Sequence, residues 1–401
     1  MNDLTLEDLC ELVVDCKNRT PPEVAPGERS VGFSIGTPHI INGRIRLSEA
    51  KAVSRETFDI WTARAIPQEG DIVLTREAPV GRVGRVEAGM NICLGQRTML
   101  LRPKKCSADS RFLHYFLLSP AVQELLHAQA SGSTVAHLRV AQVRGLKIPS
   151  VPDVDEQRRI GAALGALDDK IAVNERVAAT ALNLAEALYI RAADSPAWRS
   201  VKLGDAARWM SGGTPKTSEP SYWGGVIPWI SALSLKSPWI DTSDRNVTEL
   251  GAASGTRLVP ADTVLFVVRG SSLKEEFRIG ITQREVAFGQ DCKALIARSD
   301  IDSHALFHGV RSQTASVLEM VDETSIGAGR LSTDLISALE IKVPNEPHDP
   351  TVTQVRKLDL LAAARQQENR TLAALRGTLL SQLMSGRLRV KDAEKIVEDH
   401  T

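Results

Sequence analysis

The chain has 401 residues, more than a single hydrophobic core ordinarily serves, so two domains of ordinary size are expected. Hydrophobic residues at 43% and charged residues at 24% exclude a disordered chain, and no apolar stretch is long enough to cross a bilayer. The 49 basic residues are balanced by 49 acidic ones, so the chain as a whole gains little sequence-independent attraction to phosphate. Its first residues, MNDLTLEDLC, are acidic where a secretory leader is basic and then apolar, which leads to an expectation of the cytoplasm. Cys10, Cys16, Cys93, Cys106 and Cys292 form no C-x-x-C pair, a pattern of reduced thiols rather than of a disulfide framework or a zinc site.

In chain order, residues 70–75, GDIVLT, place an acid at a turn ahead of a β-rich strand, with Arg76 following. Leu94-Gly95-Gln96 and Arg97 form a second turn. Between Ile66 and Ser150 basic residues outnumber acids, so a basic face is expected there. A polar loop after Gly132 carries Ser133, Thr134, His137 and Arg139, groups suited to phosphate or base contact, His137 being equally suited to packing. Residues 145–152, GLKIPSVP, then lead into a helical segment from about Asp155 to Ala192. Along it Ile160, Leu164, Leu167, Ile171, Asn174, Ala178, Ala181, Ala185 and Leu188 alternate steps of four and three, a heptad seam with one polar member, Asn174, that would fix register.

The same order then recurs, fainter. Residues 261–266, ADTVLF, are followed by Arg269; Phe288-Gly289-Gln290 answers Leu94-Gly95-Gln96; and residues 340–347, EIKVPNEP, lead into a helix from about Thr353 to Ser385. That helix carries Leu358, Leu361, Leu372, Leu375, Leu379 and Leu383, with Arg365, Glu368 and Asn369 interrupting. At about 1.5 Å per residue each helix spans roughly 50–57 Å, longer than a small domain is wide. The predicted fold is mixed α/β (α+β), with two similar globular domains, each followed by a long helix, the helices packing as an antiparallel coiled coil. The expected boundaries are 1–152 and 197–347 for the domains, 153–196 and 348–390 for the helices, and 391–401 for a C-terminal tail.

Residues 15–22, DCKNRTPP, with GDIVL, LGQR, GSTVAHL (132–138), DEQRRI (155–160), DDKI (168–171), GGTP (212–215), YWGGVIPWI (222–230) and LMSGRL (383–388), together resemble the specificity-subunit family of Type I restriction–modification enzymes. The second half departs from that pattern in residues 349–354, DPTVTQ, and 327–330, GAGR. The resemblance covers nearly the whole chain and implies two target-recognition domains, each reading one half of a split double-stranded DNA site, with the helices setting the unread gap. It also implies that this chain binds no cofactor of its own. Two modification subunits would carry S-adenosylmethionine, and restriction subunits would use ATP and Mg to move on and cleave DNA.

The sequence shows no phosphate-binding G-x-x-x-x-G-K-[ST] loop, and the nearest approach to an adenine-methyltransferase motif, Thr20-Pro21-Pro22-Glu23, lacks the amide and the stacking ring. A metal-dependent nuclease built on Asp262, Asp291 and Lys293 is the sharpest enzymatic alternative, but Arg97 and Met99 occupy the matching places in the other copy. A coiled-coil assembly protein without DNA contact is the other alternative. Base readout favours forked donors on loops, which singles out Arg76, Gln96 and Arg97 in the first domain and Arg269, Lys274 and Gln290 in the second, with Lys216 and Arg330 as further candidates. Trp209, Tyr222, Trp223, Trp229 and Trp239, beside Pro and Gly, read as packing material rather than as an open stacking platform.

Overall fold

Ile72–Thr75 is four consecutive buried β-formers, the pattern of an interior strand, and it lies between antiparallel neighbours Thr98–Pro103 and Val83–Arg85. The protein, described here from a computed structural model, is defined over residues 4–17, 19–130, 136–322, 328–346 and 348–401. It folds as two units, Met1–Ala172 with Arg370–Thr401, and Val173–Asn369. Both are mixed α/β, and among the described residues no helix is long and apolar enough to cross a membrane.

In the first unit a six-stranded sheet runs, in spatial order, Cys10–Asp15, Thr98–Pro103, Ile72–Thr75, Val83–Arg85, Arg44–Ile45 and Ile40–Ile41. A three-stranded sheet of Lys51–Val53, Gly32–Ile35 and Ile92–Leu94 accompanies it. Asp109 caps the helix Ser110–Leu118 by accepting a hydrogen bond from Phe112 N at 2.9 Å. Phe112, Leu113 and Leu117 of that helix share one core with Ile72, Leu74 and Met99 of the sheet. The same core takes in Ile160, Leu164, Leu167 and Ile171 from the long helix Val154–Ala193 and Leu372, Leu379 and Leu383 from the long helix Pro350–Met384. Residues read as a C-terminal tail largely form a further helix, Val390–Glu398, which buries Val390, Ala393 and Val397 and pairs Glu394 with Arg159 at 2.6 Å.

The second unit repeats the plan with a five-stranded sheet, Ala207–Ser211, Cys292–Ala297, Val264–Val267, Ile279–Thr282 and Trp239–Ile240. Asp302 caps the helix Ser303–Arg311 as Asp109 caps its counterpart, accepting from His304 N at 2.8 Å. Phe266, Phe307 and Val310 form its core with Ala181 and Ala362, one from each long helix. Trp229 and Trp239 are buried, and Trp209 packs edge-on against Phe266 with ring centroids 5.9 Å apart.

Candidate nucleic-acid interface

Because Ile72–Thr75 and Thr98–Pro103 are antiparallel, the residue leaving the first and the residue entering the second meet at one sheet end. Arg76 N donates to Arg97 O at 2.7 Å, and Leu138 N donates to Arg76 O at 2.9 Å. Glu77 forms an antiparallel bridge with His137. Arg76, Arg97 and His137 are thus brought together from three distant stretches of chain. The Arg76 guanidinium lies largely covered, 3.1 Å from Asp15, whereas Arg97 is exposed and 3.3 Å from Glu77. Arg97 has a left-handed backbone, φ 67°, a conformation that costs about 1–2 kcal/mol for a residue with a Cβ. Gln96 is half-buried beside it. Arg139 is exposed and opens the short helix Val140–Arg144, its N–H donating to Gln142 Oε1 at 2.8 Å. Ser133 and Thr134 lie outside the described residues.

The second unit builds the same sheet end with different side chains. Val268 N donates to Asp291 O at 2.8 Å, and Leu331 N donates to Val268 O at 2.9 Å. These bonds make Val268 the counterpart of Arg76, and the rung Arg269–Arg330 the counterpart of Glu77–His137. The strand pairing suggested by residues 70–75 and 261–266 is therefore off by one position. Both strands are buried on both faces, so no alternation of polar and apolar residues fixes their register. The further pairing of Gln96 with Gln290 and of Arg97 with Asp291 agrees with the ladders.

Arg269 and Arg330 are exposed and lie directly opposite on neighbouring antiparallel strands, with Asp322 across from Arg330 on the third strand. Neither arginine forms an ion pair among the described residues. Two like charges on one rung repel, so the arrangement favours an anion that bridges them. Lys274, ending the turn Ser271–Lys274, and Gln290 are exposed as well. Lys216 is exposed elsewhere, its carbonyl accepting from Trp223 Nε1 at 3.2 Å beside the strand Trp223–Ile230. Sequence reasoning passed over Arg245, whose guanidinium stacks 3.6 Å from the Trp223 ring centre. The cluster of aromatics was the one signal that pointed near it.

The nuclease alternative fails on geometry. Asp262 precedes Val264–Val267 and Asp291 precedes Cys292–Ala297; with Val264 opposite Leu295, the two carboxylates sit at opposite strand ends, roughly 20 Å apart at about 3.3 Å per residue. Asp262 instead accepts from Arg356 at 3.3 Å, and Lys293 donates to Ser211 Oγ at 2.7 Å. All five cysteines are free, and burial pushes the Cys10, Cys93 and Cys292 thiols up to about 12, so they remain protonated packing groups.

An internally duplicated mixed α/β chain, each copy joined to a long helix and carrying a loop-borne polar sheet end, is the class that fold and site define. Residues 1–181 match the family model described as Type I restriction modification DNA specificity domain. It is 27% identical over 160 residues to the Type I restriction enzyme EcoR124I/EcoR124II specificity subunit of Escherichia coli, the match covering 39% of each chain. Over 182 residues it is 25% identical to the Type I restriction enzyme MjaIX specificity subunit of Methanocaldococcus jannaschii, covering 44% of this chain and 41% of that one. The matched stretch is thus about two-fifths of those relatives' length. The fold resembles the S subunit of a Type-I restriction-modification system from M. genitalium, with a TM-score of 0.56 at 18% identity and 95% of each chain covered.

Proposed function

We propose that this chain is a non-catalytic subunit that reads a two-part double-stranded DNA sequence for a Type I restriction–modification complex, one half-site per recognition domain. The observation that carries the reading is the sheet end built twice, in the first copy from Arg76, Arg97 and His137 and in the second from Arg269 and Arg330. Forked donors on rigid strand ends are what base edges and phosphates call for. Gln96, Arg139, Lys274 and Gln290 flank those ends, and Ser133, Thr134 and Lys216 remain candidate contacts.

The recognition domains in this reading are residues 1–152 and 197–347, and the two long helices, packed as an antiparallel coiled coil, set the unread gap. Both helices contribute to the core of each unit, which supports a structural role for them. Two modification subunits bring S-adenosylmethionine, restriction subunits bring ATP and Mg, and the assembly works in the cytoplasm. A neutral chain draws much of its grip on DNA from such partners.

The test is methylation mapping in cells that express the chain with its modification subunits. A split motif with methylated adenines in both halves is expected, and binding of the purified complex should weaken steeply as salt rises. Cleavage of DNA by the purified chain alone with Mg²⁺ would overturn the reading.

A further inference from the structure

A second element recurs in both units next to the sheet ends. Gly95 N donates to Ile35 O and Gly289 N to Ile230 O, each at 2.8 Å, so Ile35 and Ile230 are equivalent. After each the chain makes the same turn. Gly36 N donates to His39 Nδ1 at 2.9 Å, and Ser231 N donates to Ser234 Oγ at 2.8 Å. An arginine pins each turn by its backbone: Arg82 Nη1 donates to Thr37 O at 3.0 Å, and Arg278 Nη1 donates to Ala232 O at 3.1 Å. These arginines are themselves equivalent, because Thr75 N donates to Arg82 O at 2.8 Å and Val267 N to Arg278 O at 3.0 Å.

The residue at each tip is apolar and exposed: Pro38 in the first unit and Leu233, 74% exposed, in the second. A solitary surface leucine needs no explanation. Here the apolar tip recurs at the same place in both copies, and in each a long charged side chain is committed to holding the backbone beneath it. The second turn also borders the Arg269–Arg330 rung, since a Cβ on Gly270 would lie 3.7 Å from Ala232 Cβ. The apolar feature that a DNA groove offers beside its donors and acceptors is the C5-methyl group of thymine.

We infer that the turns 36–39 and 231–234 are groove-facing elements and that Leu233 packs on a thymine methyl in the half-site read by the second domain. This rests on the DNA-reading function proposed above. The test uses the full chain assembled with its modification subunits and duplexes carrying the mapped target, each thymine of both half-sites being replaced singly by deoxyuridine, which removes only the methyl. One replacement is expected to weaken binding about four-fold, the factor one buried methylene carries. Leu233→Ala should weaken binding to the unmodified duplex by a similar factor and abolish the response to that deoxyuridine. Arg269→Ala should weaken binding while preserving the response. A wild-type complex indifferent to every replacement, or a Leu233→Ala complex that still responds, overturns the inference. Failure of the DNA-reading function looks different: the unmodified target is then bound no better than unrelated DNA, and Arg269→Ala changes nothing.

Discussion

Arg330 shares a rung with Arg269, and like charges placed directly opposite destabilise a strand pair by a few tenths to about 1 kcal/mol. Arg330→Gln removes that repulsion without setting a second acid opposite Asp322, so a thermal melt of the full chain should show little change in stability while the complex binds its target more weakly. Binding that survives the change would remove this rung from the interface. Arg97→Gly relieves the left-handed backbone at φ 67° and deletes the guanidinium together, so stability should hold or rise while affinity and its salt dependence fall. Unchanged affinity in a salt titration would count against Arg97 as a contact. These residues differ in how legible they were. Arg97 could be placed because Gly95-Gln96 marks its turn in both copies, and the ladders keep that alignment. Arg269 could not be placed against Arg76, because four buried residues on each strand carry no alternation from which to count. Arg245, stacked on Trp223, left no pattern in the sequence beyond the nearby aromatics.

The long helices show where periodicity suffices and where chemistry overrides it. Along Val154–Ala193 the seam read from sequence is buried at Ile160, Leu164, Leu167, Ile171, Asn174, Ala181 and Ala185, and then drifts to Tyr189, with Leu188 half-buried. A 3.6-residue turn departs from a strict heptad in this way. Along Pro350–Met384, Leu358 is half-buried and Leu361 exposed, while the buried stripe runs through Val352, Val355, Asp359, Ala362, Leu372, Leu379 and Leu383. A carboxylate in that stripe defeats a hydrophobic count. It is tolerated because His304 Nδ1 lies 2.6 Å and His308 Nε2 3.1 Å from Asp359, all three residues being buried. Burial raises the Asp359 carboxyl, but the hydrogen bonds from the two histidines prevail and hold it below the usual carboxylate range. A depressed folded value means stability present above the ordinary carboxylate value and lost as pH falls through the folded one. Asp359→Ala should destabilise the protein by about 3–5 kcal/mol, read from a urea midpoint; an unchanged midpoint would mean that the cluster holds nothing together. His114 gives a second pH dependence. Burial lowers it from 6.5 to about 4, with Asp168 opposing, so the folded state keeps it neutral. Stability is then full above 6.5 and declines toward pH 4 by up to about 3 kcal/mol as the unfolded chain takes up the proton. His114→Gln should flatten the melting temperature between pH 7 and pH 5, and a slope as steep as wild type would assign the acid sensitivity to other groups.

At the scale of the whole chain, the duplicated plan predicts that the proposed second recognition domain can be exchanged as a piece, and the strand pairing says where to cut. Strand Trp198–Lys202 pairs with Glu340–Pro344 from Trp198 opposite Pro344 to Lys202 opposite Glu340, and Asn345 N donates to Ala197 O at 2.8 Å. This ladder closes the domain on itself, so a segment of residues 198–345 carries both its strands, whereas a cut after Trp198 would part it from Pro344. What stays behind must still fit the incoming piece. Tyr189 donates from its hydroxyl to Lys342 O at 2.6 Å, Glu186 lies 3.3 Å from Arg311, and Asp359 needs its two histidines. The first contact is to backbone and the second is half-exposed, so both tolerate a change of sequence. The third does not, because a donor domain lacking His304 and His308 leaves Asp359 buried without a partner. Exchanges from donors with both histidines should therefore fold as they stand, and exchanges from donors without them should fold only with Asp359→Leu. Methylation mapping of each folded chimera should show one half of the split motif altered and the other intact. A chimera that changes both halves, or neither, would mean that the half-sites are not read by separate domains.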